Sequence, residues 1–225
     1  MNIEDKKERA LLNLISEASK DRLLKAGNVI TLDKGELLFS ERDEVKDMYI
    51  VLEGYMTLYR NSRFGEIKII FICAYGEILN EMVLQDNKTS ICGKALTDTK
   101  LLAINKGDLG KLMSEDDKLT IEIFNSLARK TRRLYHQIGN TNGTYPLEKR
   151  LAVKIWKLAR DYGKNSEEGV DIPFETTVTF VANMRGAKRE TMSRIISQLK
   201  NDGIIIHRNG FLTVPDMAKL REITQ

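Results

Sequence analysis

Between Asn28 and Ile104 the chain is a succession of short apolar runs punctuated by single glycines. The runs are Asn28–Leu32, Glu36–Phe39, Asp47–Glu53, Tyr55–Arg60, Ile67–Cys73, Ser90–Ala95 and Lys100–Ile104, rich in Ile, Val, Leu and Tyr. Gly35, Gly54, Gly65 and Gly76 stand between or beside them, where a tight turn needs positive φ at little steric cost. Phe64-Gly65 joins Tyr55–Arg60 to Ile67–Cys73 as a hairpin requires. Strands this short and this evenly spaced predict a compact antiparallel sandwich or roll.

Helical texture flanks this region. Residues 5–25 carry Leu11, Leu12, Leu14, Ile15, Leu23 and Leu24 on a charged background without Gly or Pro. Residues 106–139 are helical again. There Phe124, Leu127, Thr131, Leu134 and Ile138 recur at spacings 3-4-3-4, flanked by Arg129, Lys130, Arg132 and Arg133. This is a seam of period 3.5. A helix laid on its own sheet gives this pattern, and so does a parallel homodimer. Gly139-Asn140-Thr141-Asn142-Gly143-Thr144, then Tyr145-Pro146, breaks the helix and marks a boundary. Thr144 is a candidate cap for the next helix, and Pro suits a first helical turn. The expected organisation is α+β: residues 1–110 for N-terminal helices and an antiparallel, jelly-roll-like β-roll, 111–139 for one long helix, 140–146 for a hinge, and 147–225 for a C-terminal domain. Leu147, Leu151, Ile155 and Leu158 form the buried stripe of a helix over 147–161, with Trp156 at its edge. Residues 162–171 read as a polar loop.

At 42% hydrophobic and 30% charged residues, the 225-residue chain has material for a core and is not disordered as a whole. The longest stretch free of Asp, Glu, Lys and Arg, Leu134–Leu147, is polar, so no membrane span is expected. The charged start MNIEDKKERALLNL carries no leader pattern. Only Cys73 and Cys92 occur; a disulfide scaffold and a four-cysteine metal site are excluded, and a reducing cytoplasm is the expected setting. Residues 1–145 carry 22 Lys+Arg and 22 Asp+Glu, whereas residues 146–225 carry 14 against 10. The whole positive excess lies in the last third, which points weakly to an acidic partner there, such as nucleic acid.

The segment Thr177–Ile206 carries the chemistry. A short helix, Val178–Arg185, is expected to end at Gly186, and a second over about Lys188–Asn201 to end at Asp202-Gly203. Met192, Ile195, Ile196 and Leu199 give the second helix an apolar face. Two short helices joined through a glycine turn form a helix-turn-helix. Its second helix fits the major groove, about 12 Å wide. Lys188, Arg189, Glu190, Ser193 and Arg194 lie near the N-terminus of that helix, the end presented to base edges. Arg can take guanine O6 and N7 together, and Glu can accept from cytosine N4. The alternative is a solvated face with Arg–Glu pairs along the helix. Ile204–His207, Arg208-Asn209-Gly210 and Phe211–Val214 then read as a hairpin, a wing whose Arg208 or Asn209 touches phosphate.

At these residues the chain resembles the CRP/FNR family of bacterial transcription regulators. Arg189-Glu190-Thr191-Met192-Ser193-Arg194 is similar to the family's R-E-T-V-x-R recognition helix. Glu190, Ser193 and Arg194 also match the E-x-x-S-R pattern of the FNR branch. The resemblance implies a winged helix-turn-helix on double-stranded DNA. It also implies a homodimer through Phe124, Leu127, Thr131, Leu134 and Ile138, and half-sites about 34 Å apart on a pseudo-palindrome. Loop 161–171 occupies the region that some relatives use to contact RNA polymerase.

Cyclic-nucleotide binders of this family hold ribose with a Gly-Glu-Leu segment and the cyclic phosphate with a following Arg-Ser. The matching stretch runs from Gly76 to Ser90. Glu81 matches the acidic residue, Asn80 replaces the glycine, and Thr89 replaces the arginine. Without that arginine the planar fork for phosphate is gone; Lys88 offers only a point charge. Cyclic AMP is therefore disfavoured. Iron–sulfur and haem sensing lack their ligands. The expected effector is a small organic or anionic molecule of unidentified chemistry, with Glu81, Lys88, Thr89, Arg129 and Tyr135 as candidate contacts. An effector-independent DNA binder is an alternative, as is a small-molecule module whose winged helix contacts protein. No nucleophile–base pair, metal-ligand cluster or P-loop is visible, so an enzyme is not expected.

Overall fold

The computed structural model describes residues 10–62, 65–139 and 146–224. The chain divides into two compact units, one mainly of residues 7–60 and 70–142, the other mainly of residues 143–225.

The first unit opens with α1 (Leu11–Leu14) and α2 (Glu17–Ala26). The single helix expected over 5–25 is thus two, and residues 5–9 lie outside the described residues. Ile15 is extended, and the Ser16 hydroxyl accepts from Ser19 N–H, which starts a fresh helix. The strands follow: β1 (Asn28–Leu32), β2 (Leu37–Phe39), β3 (Asp47–Glu53), β4 (Met56–Asn61), β5 (Ile67–Cys73), β6 (Ile78–Leu79), β7 (Cys92–Ala95) and β8 (Thr99–Asn105). They form two sheets, ordered β1-β8-β3-β6 and β2-β7-β4-β5. Pairing is antiparallel, as in Ile50↔Leu102 and Thr57↔Lys94. The expected roll is present. Phe64 of its expected hairpin turn lies outside the described residues.

Side chains alternate between the two faces of a strand, and both faces of β3 are covered. Met48 and Ile50, with Leu102 and Ile104 of β8, pack against the helices. Tyr49 and Val51, with Leu101, pack against Phe39, Met56 and Leu58 of the other sheet. Each such apolar side chain contributes about 1.5–3 kcal/mol through burial. After β6, Asn80 adopts φ 61° and opens a 3-10 turn, Glu81–Leu84.

The helix expected from residue 111 begins later. α3 (Lys106–Glu115) and α4 (Asp117–Gly139) are separate helices. Extended Asp116 divides them, and its carboxylate accepts from Leu119 N–H and from the Ser19 hydroxyl. These bonds cap α4 and hold the carboxyl of Asp116 below the usual carboxylate range.

The second unit contains α5 (Leu147–Tyr162), β9 (Lys164–Ser166), β10 (Gly169–Asp171), α6 (Val178–Arg185), α7 (Arg189–Asn201), β11 (Ile206–Arg208), β12 (Phe211–Val214) and α8 (Met217–Thr224). The hinge expected over 140–146, with its Thr144 cap, lies outside the described residues except for Pro146. Pro146 stands at the N-cap of α5 rather than inside its first turn. The stretch expected as a loop over 162–171 is a hairpin that extends the wing into a sheet ordered β11-β12-β10-β9. Its strands exist because β10 pairs with β12, Val170↔Val214 and Asp171↔Thr213. Leu151, Ile155, Phe174, Met192, Leu199 and Leu212 are among its buried core residues.

Candidate nucleic-acid interface

Thr177 starts the helix-turn-helix: its hydroxyl accepts from Phe180 N–H at 3.1 Å and caps α6. α6 stops at Gly186, which has φ 61° and ψ 46°. A Cβ there would meet nothing within 4 Å, so the glycine answers a conformational need and not a steric one. α7 begins at Arg189 with Lys188 as its N-cap. Met192, Ile196 and Leu199 are buried and anchor the helix.

Lys188, Arg189, Glu190 and Arg194 are exposed, and Ser193 is half-buried. At about 100° per residue, positions 189, 193, 190 and 194 share an arc of roughly 140° at the start of α7. None of the five side chains makes a hydrogen bond or ion pair among the described residues. The Arg–Glu pairing considered as an alternative is therefore not the arrangement found. The sequence reading missed Ser197, which is exposed and falls within the same arc one turn on. Its spacing of four from Ser193 and seven from Glu190 was the available signal.

The wing is held against the base of α6. The His207 ring Nε2 donates to the Thr176 carbonyl at 3.0 Å, and Thr176 N–H donates to the Gly210 carbonyl at 2.7 Å. Asn209 and Gly210 have φ 52° and 81°, the pair of left-handed residues that a two-residue hairpin turn requires. Arg208 is not free at the tip: its Nη1 donates to both Glu168 oxygens, at 2.9 and 3.2 Å. Both side chains are more than half exposed, so the pair is worth about 0–1 kcal/mol and can yield to a phosphate.

A second constellation lies in the first unit. Ile123, Ser126, Lys130, Arg133 and Gln137 run along α4 at 3-4-3-4 on the side that faces the roll. Lys130 Nζ donates to Glu81 Oε2 at 2.7 Å and to the Ile78 carbonyl at 2.6 Å. The Ser126 hydroxyl donates to Glu81 Oε1 at 3.2 Å. Arg133 donates to Glu77 at 3.0 Å and lies 4.7 Å from the centre of the Phe71 ring. Gln137 donates to the Ile70 carbonyl at 2.9 Å. The side chains of Lys130 and Glu81 are only 12% and 6% exposed. Burial draws the Lys130 ammonium down, but the Glu81 carboxylate and other neighbours outweigh it and leave the net shift upward. Burial, with Glu77 beside it, pushes the Cys73 thiol up to about 12. Both cysteines are buried and free.

The five residues expected to hold an effector are placed apart in their bonding. Glu81 is taken by Lys130 and Ser126. The buried Thr89 hydroxyl donates to the Ser40 carbonyl, with the Asp43 carbonyl at 3.4 Å. Lys88 is exposed. Arg129 Nη1 is 3.8 Å from Glu122 Oε2, and Tyr135 is exposed. No hydrogen bond or ion pair among the described residues joins any two of the five. Asn80, in the position of the family's glycine, adopts a left-handed backbone and donates its amide to the Asp47 carbonyl at 2.9 Å. The sequence reading noted Lys130 and Arg133 only as flanking charges. Their spacing to Ile123 and Ser126 was the signal that they face inward.

The other flank of α4 is apolar and open to solvent. Phe124, Leu134 and Ile138 are 60%, 37% and 67% exposed; Thr131 is exposed and Leu127 half-buried. The helix therefore turns Lys130 and Arg133 toward the roll and Phe124, Leu134 and Ile138 toward solvent. Among the described residues no helix is long and apolar enough to cross a membrane, and no group of three or more His, Cys, Asp or Glu could hold a metal ion.

Two domain families match the chain: the cyclic nucleotide-binding domain over residues 29–116 and the Crp-like helix-turn-helix domain over residues 149–223. The chain is 26% identical over 191 residues to the cyclic AMP receptor protein of Thermus thermophilus, covering 84% of this chain and 85% of that one. It is 23% identical over 176 residues to the anaerobic regulatory protein of Bacillus subtilis, covering 77% and 74%. Among solved structures, the c-di-GMP responsive global regulator CLP of Xanthomonas campestris superposes with a TM-score of 0.79 at 16% identity, covering 89% of this chain and all of that one.

Proposed function

Because the chain belongs to the CRP/FNR family of effector-responsive, DNA-binding transcription regulators, we propose that it acts as a homodimer whose two α7 helices read one pseudo-palindromic site. The observation that carries this reading is the recognition face. Arg189, Glu190 and Arg194 stand exposed and untied at the N-terminal end of α7, with Ser193 between them. Arg208 of the wing supplies a phosphate contact once it leaves Glu168. The apolar flank of α4 supports the second copy, since a stripe of this kind with 3-4 spacing is what a parallel helix pair buries. Two half-sites then lie about 34 Å apart. The protein works where its DNA is, in the cytoplasm, and the β9–β10 hairpin is the further proposed contact for RNA polymerase.

The effector is a small molecule other than cyclic AMP. Thr89 has no cationic fork for a phosphate, and its hydroxyl is spent on backbone carbonyls. Effector-independent binding is the second reading, favoured by one observation: Glu81 is already answered by Lys130 from within the chain. Selection of bound sequences from a random duplex library, with and without cell extract, tests both. A two-fold symmetric motif is the expected result, and an asymmetric or absent motif refutes the dimeric reader. Enrichment that needs extract favours an effector. A clear rise in melting temperature with micromolar cyclic AMP overturns the exclusion of that nucleotide.

A further inference from the structure

Arg150 sits in the first turn of α5, and Arg185 is the last residue of α6. Both are half-buried. The Nε of each is enclosed by protein and meets no acceptor. Neither side chain makes a hydrogen bond or ion pair to a carboxylate among the described residues. They are close enough that Arg150, after burial itself, depresses the Arg185 guanidinium below its ordinary value. Lys157, two turns along α5 from Arg150, is depressed by burial and Arg160, and it also senses Arg185. The neighbouring acid, Asp161, is engaged by Arg160 Nε at 2.7 Å.

A fold that holds two like charges together, half out of water and without a counter-ion, is stabilised by an anion brought from outside. Guanidinium groups present planar donor forks that match phosphate oxygens, which a lysine pair does not. With both Nε atoms enclosed, the terminal nitrogens are the donors left for it. The geometry points to Arg150 and Arg185 as a phosphate-binding pair on the helix-turn-helix. The source of the phosphate is the backbone of bound DNA, because the helix before the recognition helix is the one that crosses the sugar–phosphate backbone. This inference rests on the DNA-binding reading. It adds a contact that the recognition face does not include and that sequence alone does not suggest, since residues 150 and 185 stand 35 apart in the chain.

The test uses the full chain and the variants R150Q, R185Q and the double variant, with R185K as the charge-keeping control. In the first arm, binding to a labelled duplex is followed by anisotropy across a salt series. The double variant should lose about tenfold or more in affinity on specific and random duplexes alike, and its log K against log[salt] slope should flatten by about 0.9 per phosphate, about 1.8 for a dimer that seats one pair on each half-site. R185K should fall between wild type and R185Q. In the second arm, the melting temperature of the free protein is compared in inorganic phosphate and in chloride at matched ionic strength. Phosphate should stabilise wild type and not the double variant. Movement in the second arm alone assigns the pair to free phosphate and overturns DNA as the source. Unchanged affinity and slope, with no response to phosphate, overturns the site altogether. If wild type binds no duplex, the DNA-binding reading fails by itself while the second arm still decides whether the pair holds phosphate.

Discussion

Replacing Lys130 by Met keeps the side-chain stem and removes the ammonium. Glu81 then stays buried with the Ser126 hydroxyl as its remaining side-chain partner. Breaking a buried pair from one side costs about 3–5 kcal/mol, because a charge is left uncompensated. Urea unfolding followed by circular dichroism at 222 nm measures the loss. The double variant K130M/E81Q should recover most of it, since it leaves no buried charge. A K130M protein within 1 kcal/mol of wild type, or a double variant no more stable than K130M, refutes the buried-pair argument.

Other expectations follow from the same geometry. Arg194→Ala should cost about 1–3 kcal/mol on the selected site and relax preference at one base position; a gel shift in which specific and random DNA weaken equally removes it from base reading. Ile138→Asp should give a monomer by sedimentation velocity with its helical signal intact, and an unchanged dimer removes α4 from the interface. Gly186→Ala should destabilise by about 1–2 kcal/mol from left-handed strain alone, read as a lower thermal midpoint; no change contradicts the positive φ. Stability should fall as pH rises from about 9, because the folded state keeps the Cys73 proton up to about 12 while the unfolded chain releases it near 9. Tyr49, raised mainly by burial to about 12, and Lys130, with its upward shift, steepen that decline above about 10. Cys73→Ala should move the onset from about 9 to about 10 in a denaturant titration.

What the sequence could disclose follows the range of the forces involved. Turns and caps are local, so the glycines of the roll, the Thr177–Gly186 helix and the buried Met192, Ile196 and Leu199 were legible. The β9–β10 hairpin was not, because Lys164-Asn165-Ser166 has little strand preference and becomes a strand through a sheet whose other member lies more than 40 residues away. α4 misleads in another way. A reader who places hydrophobes inside assigns Phe124 and Ile138 to the interior, yet it is Ser126, Lys130 and Arg133 that face the roll. Their partners, Glu77 and Glu81, come from a loop some 50 residues earlier, and no helical periodicity announces them. The candidate effector residues suffered the same limit: Thr89 was visible as a substitution, but not that its hydroxyl is turned to Ser40.

The two rows on α4 are offset by a single residue, 123-126-130-133-137 against 124-127-131-134-138. One residue is about 100° of helix circumference, so the ionic flank and the greasy flank are fixed to one axle. A twist of about 10° moves side-chain ends about 1 Å along the rim, enough to unseat knobs from holes on the proposed second copy. If that flank pairs with a second copy as proposed, anything that loosens the grip of Lys130 on Glu81 reaches the seam a quarter-turn round the same shaft.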